Sequence, residues 1–134
     1  KAEIPLETYE IPLMIYSPQH IAPRQVDTLM TQIDIAPTVL GMLGLPYEAP
    51  FFGIDALHEQ PEHARIALFS HNHDVAILRD NQLVVLGLGK THQSLTYDPL
   101  AKTFKPRADD AALRDLGVAY FQTAADLFKT NRYN

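Results

Sequence analysis

The sequence has 134 residues, enough for a single domain with a hydrophobic core of its own. Apolar residues make up 46% and charged residues 20%, which is typical of globular proteins and excludes a largely disordered chain. The net charge is −5 and neither half carries a basic stripe, which argues against nucleic-acid binding. Cysteine is absent, so disulfides and thiolate metal sites are excluded.

The first predicted element is a buried strand at Ile11–Tyr16. Its residues are apolar on both faces, which is typical of a strand inside a parallel sheet. Residues 1–10 and 17–25 carry prolines and are interpreted as loops on either side. A strand of this kind needs neighbours on both sides, and the sequence offers few parallel partners for it.

The second predicted element is a compact helix within Gln32–Pro46. Asp34 is the expected N-cap, since a carboxylate accepts the free N–H groups of a first helical turn. Gly44 and Pro46 are typical of the residues that follow a helix. Gly41 inside the helix indicates that another backbone packs closely there. The apolar face of this helix is expected to comprise Ala36, Val39, Leu40 and Leu43.

An antiparallel meander and a long helix are predicted for the second half. The hydrophobic period changes to two after the connector at residues 46–65. Asp80-Asn81 is a hairpin-turn pair, and residues 102–107 are interpreted as a loop. Strands are expected at residues 66–69, 75–79, 83–88 and 94–97. A helix from about Asp109 to about Lys129 carries an apolar stripe of Leu113, Leu116, Tyr120, Ala124, Leu127 and Phe128.

His71 and His73 are the candidates for chemistry. Two histidines two apart in a strand point to one side and are able to share a metal ion. A polar turn between two strands explains the same residues, and it is favoured because the chain offers no obvious third ligand. Asp34 and Asp55 are likewise favoured as a helix cap and a turn residue over a ligand or a general base. The remaining histidines are expected to be solvated loop residues: His20, His58, His63 and His92.

Three segments in order resemble the late part of sulfatases and their relatives in the alkaline phosphatase superfamily. The first is IPLMIYSP followed by QIDIAPTVLGMLGL, in which Asp34 to Thr38 matches the family pattern Asp-x-x-Pro-Thr. The second, Phe51–Leu57, is similar to the Phe-Gly-x-Asp-Leu segment of the lipoteichoic acid synthase branch. The third resembles the C-terminal end of bacterial phosphoglycerol transferases and comprises Leu83–Leu86, Gln93–Asp98 and Ala119–Ala124.

The resemblance implies a C-terminal portion of an alkaline-phosphatase-like α/β/α sandwich with a small antiparallel meander and a long C-terminal helix. Residues 1–60 would belong to the central sheet layer, and residues 61–134 would form a subdomain of meander plus helix. The parent would be a metal-dependent phosphoglycerol transferase or hydrolase, acting on a phosphoglycerol or sulfate ester through a divalent metal such as Mn, Zn, Mg or Ca. It would be the extracytoplasmic, periplasmic domain of a bacterial inner-membrane protein.

No nucleophile or metal ligand of that family is carried over onto this chain. The family's Asp-His pair is absent, and only the reversed order His73-Asp74 occurs. His71 and His73 are therefore expected at most to lie beside a substrate, with the remainder of the catalytic domain as the main partner. The fragment alone is expected to bind no metal and to be inactive. The alternative is a self-standing α/β interaction or binding module without catalysis.

Overall fold

The computed structural model describes residues 4–48, 52–58 and 65–132. Two short 3₁₀ turns, Leu6–Tyr9 and Gln32–Asp34, precede helix α1, Ile35–Met42. A five-stranded sheet and helix α2, Ala111–Lys129, follow. The strands are β1 (Ala67–His71), β2 (Asp74–Arg79), β3 (Gln82–Leu86), β4 (His92–Asp98) and β5 (Thr103–Pro106).

The predicted meander is confirmed. All neighbouring strands pair antiparallel in the order β1 to β5. Asp80 and Asn81 form the turn between β2 and β3 with φ values of 48° and 62°. Positive φ at both central residues is the property of the hairpin turns whose twist matches that of the strands. The local turn chemistry therefore fixes the register of the central hairpin.

The loop predicted at residues 102–107 is wrong, because this segment contains β5. Phe104 of β5 pairs with Tyr97 of β4, and the centroids of their two rings are 5.1 Å apart. Pro106 is tolerated because β5 is an edge strand, where no partner needs its missing N–H. The turn before β5 is held by Asp98, and the N–H of Ala101, bonded to this carboxylate, lowers the pKa of Asp98.

Both faces of the sheet are covered. One face packs against the N-terminal segment, where Ile4 and Leu6 are buried among residues of β1 to β4. The opposite face packs against α2, where Leu113 contacts Ile77 and Val84. The segment 4–9, interpreted as a loop from its sequence, therefore contains a 3₁₀ turn and is part of the core.

Helix α2 confirms the predicted C-terminal helix, with Asp110 as its N-cap accepting from the N–H of Leu113 at 3.0 Å. Only the first half of the expected apolar stripe is packed on the sheet. Leu113 is fully buried, whereas Ala124 and Phe128 are exposed. No helix in the described ranges is both long and apolar enough to cross a membrane.

Replacing Gly117 with alanine is expected to lower the free energy of unfolding by about 1–2 kcal/mol. A Cβ at position 117 would lie 2.8 Å from Cγ2 of Ile77, so either α2 or the buried side chain of Ile77 would have to shift. Urea denaturation measures the change. Ala119→Gly is a useful comparison, because residue 119 is exposed and only helix propensity, about 1 kcal/mol, is lost there. Near-UV circular dichroism would separate the two, since only Gly117→Ala should alter core packing.

The buried strand predicted at Ile11–Tyr16 is wrong for the described structure. Residues 10–16 have no regular secondary structure. The five apolar side chains of this segment are between 41% and 88% exposed. An extended segment becomes a strand only where a neighbour accepts and donates its backbone hydrogen bonds, and no described strand pairs with it. Residues 21–31 also have no regular secondary structure.

The apolar face predicted for α1 is mostly uncovered. Ala36, Val39 and Leu43 are exposed, while Pro37 and Thr38 are buried. The end of the helix follows the prediction, because Gly44 has φ 63° and the N–H of Leu45 bonds back to Leu40 at 3.0 Å. The helix is therefore anchored by its small and polar side and leaves an apolar side free.

Candidate functional site

The structure places His71 and His73 at the first hairpin turn. His71 is the last residue of β1 and pairs with Asp74, so Asn72 and His73 form the turn itself. Asn72 has φ 54°, which confirms the favoured interpretation of a polar turn. The two histidines are not successive same-face residues of one strand, so the geometric reason for a shared metal ion is lost. Their proximity to a substrate stays a prediction.

Asp34 does not cap α1, contrary to the sequence-based expectation. Instead, its carboxylate accepts hydrogen bonds from one residue earlier in the chain and from one residue later in the chain. Oδ2 accepts from the N–H of Thr31 at 2.8 Å and from its hydroxyl at 3.0 Å. Oδ1 accepts from the N–H of Ile54 at 2.9 Å. Because Asp34 is only 5% exposed, these bonds are what compensates for burying its carboxylate.

Thr38 makes the second connection between α1 and the 52–58 segment. Its hydroxyl donates to the carbonyl of Asp34 at 2.6 Å and accepts from the N–H of Ala56 at 2.9 Å. Thr38 and Asp34 are one helical turn apart and bind alternate N–H groups of the same segment. The Asp-x-x-Pro-Thr motif is thus a backbone-binding device, and Pro37 between them is buried.

Asp55 is a turn residue, as predicted, and it has a second role. Oδ1 accepts from the N–H of Leu57 at 2.9 Å, and Oδ2 lies 2.5 Å from Nδ1 of His58. His58 is therefore a solvent-facing side chain that is oriented by a buried carboxylate. Phe51 and His63, which belong to the same connector, lie outside the described residues.

Two glycines make this close approach possible. A Cβ at Gly41 would lie 2.0 Å from Oδ2 of Asp55, so the neighbour that requires this glycine is a side chain and not the expected backbone. A Cβ at Gly53 would lie 1.9 Å from the carbonyl oxygen of Ile33. The close backbone contact is therefore at Gly53, where the 52–58 segment crosses the turn before α1.

Replacing Gly53 with alanine is expected to cost about 2 kcal/mol of unfolding free energy, since the backbone of Ile33 cannot move aside as a flexible side chain would. Hydrogen exchange at the amides of Ile54 and Ala56 measures the effect directly. Gly89→Ala is the control, because that position has open space and only a positive φ of 66° to strain. Unchanged protection of both amides in Gly53→Ala would contradict this account.

Arg65 closes the 52–58 segment from the other side. One guanidinium nitrogen donates to the carbonyls of Asp55, Ala56 and His58 at 3.0–3.3 Å. A second guanidinium nitrogen, Nη1, is buried without a partner among the described residues. Arg65 also borders a pocket of about 40 Å³, which has room for a few water molecules and not for a substrate. Its walls include Leu29, Phe52, Ile66 and Tyr120.

The described residues do not fit a metal centre. No group of three histidine or carboxylate side chains converges among them. The two buried carboxylates, Asp34 and Asp55, already bind N–H groups of the chain with both oxygens. This part of the molecule is chemically a scaffold, with an apolar exposed surface beside it.

A family model described as Sulfatase matches residues 1–45. Among solved structures, the chain is similar to a protein in the alkaline phosphatase superfamily from Vibrio parahaemolyticus, with a TM-score of 0.78 and 27% sequence identity. The chain is thus related to the sulfatases and the alkaline phosphatase superfamily. The similarity covers 85% of this chain but only 28% of that protein, so the chain spans less than a third of its length.

Sequence reasoning missed the residues that complete the scaffold. The sequence patterns predict no role for Thr31 or Arg65, and they include Thr38 only as part of the Asp-x-x-Pro-Thr motif. Arg65 follows the connector without any local signal. Thr31 had one, because Thr-x-x-Asp is a capping-box spacing, and it indicates that the Asp34 side chain reaches back to position 31.

Proposed function

We propose that this chain is the C-terminal structural part of a metal-dependent sulfatase-like phosphoglycerol transferase or hydrolase, whose main catalytic residues lie upstream. The observation that carries the proposal is the exposure of Ile11–Tyr16. This segment lies within the region matched by the sulfatase model, yet its apolar side chains face solvent. An apolar segment of this kind marks a surface that another part of a protein covers.

The exposed side of α1 supports the same proposal. Val39 and Leu43 project from a helix whose other side is fixed by Asp34 and Thr38 to the 52–58 segment. The scaffold would hold this apolar side in a constant orientation toward the remainder of the catalytic domain. The limited share of the Vibrio protein that this chain covers leaves room for such a remainder.

Catalysis would depend on that remainder. In the parent a divalent metal would lower the pKa of a nucleophilic hydroxyl and stabilise charge on the transferred group. The described residues supply no ligand set for it, so the proposal assigns the ligands to other residues. The proposal includes the lipoteichoic acid synthase branch and an extracytoplasmic, periplasmic location in a bacterial inner-membrane protein.

The test compares chain 1–134 with the product of the whole reading frame that contains it. Both are assayed on p-nitrophenyl sulfate and bis(p-nitrophenyl) phosphate, before and after EDTA treatment and with metal restored. We expect the longer product to hydrolyse one of the two substrates in a metal-dependent manner, and chain 1–134 to hydrolyse neither. Activity in chain 1–134 alone, or none in the longer product on either substrate, would overturn the proposal.

The second candidate is a self-standing interaction module, which the separate core of the sheet and α2 favours. The buried residues of that unit, including Ile77, Val84 and Leu113, contact one another and form a core without α1. Cooperative unfolding of chain 1–134, with residues 11–48 protected from hydrogen exchange, would support this candidate. The enzyme-part proposal expects protection in residues 65–132 and little at residues 11–16.

A further inference from the structure

The 3₁₀ turn at the start of the chain holds a histidine of the sheet. The ring of Tyr9 packs edge-on against Phe69, with centroids 5.3 Å apart, and against His71 at 6.3 Å. Its hydroxyl oxygen lies 2.9 Å from the carbonyl oxygen of Ser70 and 3.1 Å from Nδ1 of His71. The hydroxyl thus has two polar neighbours that follow each other in the chain.

Counting protons determines the direction of both bonds. A carbonyl oxygen only accepts, so the contact with Ser70 requires the single proton of the Tyr9 hydroxyl. The oxygen of Tyr9 then has only lone pairs to offer to His71. The contact with Nδ1 is therefore a hydrogen bond only if Nδ1 carries the ring proton and donates it.

We propose that Tyr9 is a positioning residue that holds His71 as the Nδ1–H tautomer, which makes Nε2 a proton-acceptor site at the first hairpin turn. A neutral imidazole with a proton on Nδ1 has its lone pair on Nε2. His71 is partly exposed, and its Nε2 makes no hydrogen bond to any described residue. The site takes a ligand group that donates a hydrogen bond, such as a hydroxyl.

This inference stands independently of the proposed function. It concerns which ring nitrogen of His71 carries no proton. That depends on contacts between Tyr9 in the first 3₁₀ turn and residues of β1. A metal ion is the less suitable ligand, because no group of three ligating side chains includes His71 among the described residues. His73 gives a natural comparison, since it lies in the same turn, is exposed and has no contact with Tyr9.

The first experiment is long-range ¹H–¹⁵N NMR of chain 1–134 at mildly alkaline pH, where histidine side chains are neutral. We expect Nδ1 of His71 to be protonated and Nε2 to be unprotonated. In Tyr9→Phe, which keeps the ring packing, the signals should shift toward the opposite tautomer that free imidazole prefers. Tyr97→Phe is the control, because Tyr97 packs on Phe104 and has no contact with His71.

Each outcome decides the matter. A protonated Nε2 in the unsubstituted chain overturns the tautomer assignment, whether or not the variant folds. An unchanged tautomer in Tyr9→Phe overturns the positioning role of Tyr9. The openness of Nε2 is tested with diethyl pyrocarbonate, which acylates unprotonated ring nitrogens. We expect His71 to be modified at Nε2, and an unmodified His71 beside a modified His73 overturns the acceptor site.

Discussion

Replacing Asp34 with alanine is expected to lower the free energy of unfolding of the α1 region by about 3 kcal/mol. Three donors lose their acceptor at once: the N–H and hydroxyl of Thr31 and the N–H of Ile54. Each buried donor left without a partner costs about 1–3 kcal/mol, and partial access to water reduces the sum. The 52–58 segment should detach from α1 as a result.

Hydrogen exchange at the amides of Thr31 and Ile54, together with urea denaturation, measures this loss. Asp27→Ala is the matched control, because Asp27 is exposed and its side chain, among the described residues, accepts only from Gln25, at 2.8 Å. The control should change the unfolding free energy by no more than about 0.5 kcal/mol. Equal effects of the two substitutions would show that the Asp34 bonds do not hold this part of the structure together.

Elements whose signals are local were predictable from the sequence. Strands β1 to β4 follow from alternation, although β5 was predicted as a loop, and the turn at Asp80 and Asn81 follows from residue types that tolerate positive φ. Helix α2 follows from its apolar stripe, and its start at Ala111 lies close to the predicted start at about Asp109. In each case the deciding contacts lie within a few residues of one another, so a short window of sequence contains the whole cause.

The scaffold around α1 was not predictable in the same way. Asp34 fits a helix cap by position, but its carboxylate bonds to Ile54, 20 residues further along the chain. An aspartate at this position is suited both to capping the helix and to accepting a hydrogen bond from a distant segment. Which of the two it does depends on the segment that packs beside it. Gly41 is a second example. A backbone was expected to pack against it, but its neighbour is the side chain of Asp55, which lies 14 residues further along the chain.

The segment Ile11–Tyr16 shows the limit of hydrophobic pattern most clearly. The pattern correctly indicates a sequence suited to burial, but burial needs a second surface, and the described chain does not provide one. The same residues are therefore an error in the predicted secondary structure of this chain and the main support for a larger catalytic domain. The sulfatase model matches a region that includes this segment, and both observations support one explanation, the proposed larger catalytic domain.

That explanation gives the second large prediction, for Met14→Glu. In chain 1–134 the side chain of Met14 is 88% exposed, so the substitution should change the unfolding free energy by less than about 0.5 kcal/mol. In the product of the whole reading frame, our proposal buries this segment, and an unpaired buried carboxylate would cost about 3 kcal/mol or more.

Urea denaturation of both lengths measures the contrast, and Gln19→Glu in the neighbouring exposed loop is the control for the added charge. The control should be near neutral in both lengths, because a polar loop position does not become an apolar contact. If Met14→Glu is equally harmless in the longer product, the segment faces solvent there too. The chain would then be better explained as a self-standing module, since its most apolar exposed stretch would have no part of the same protein to cover it.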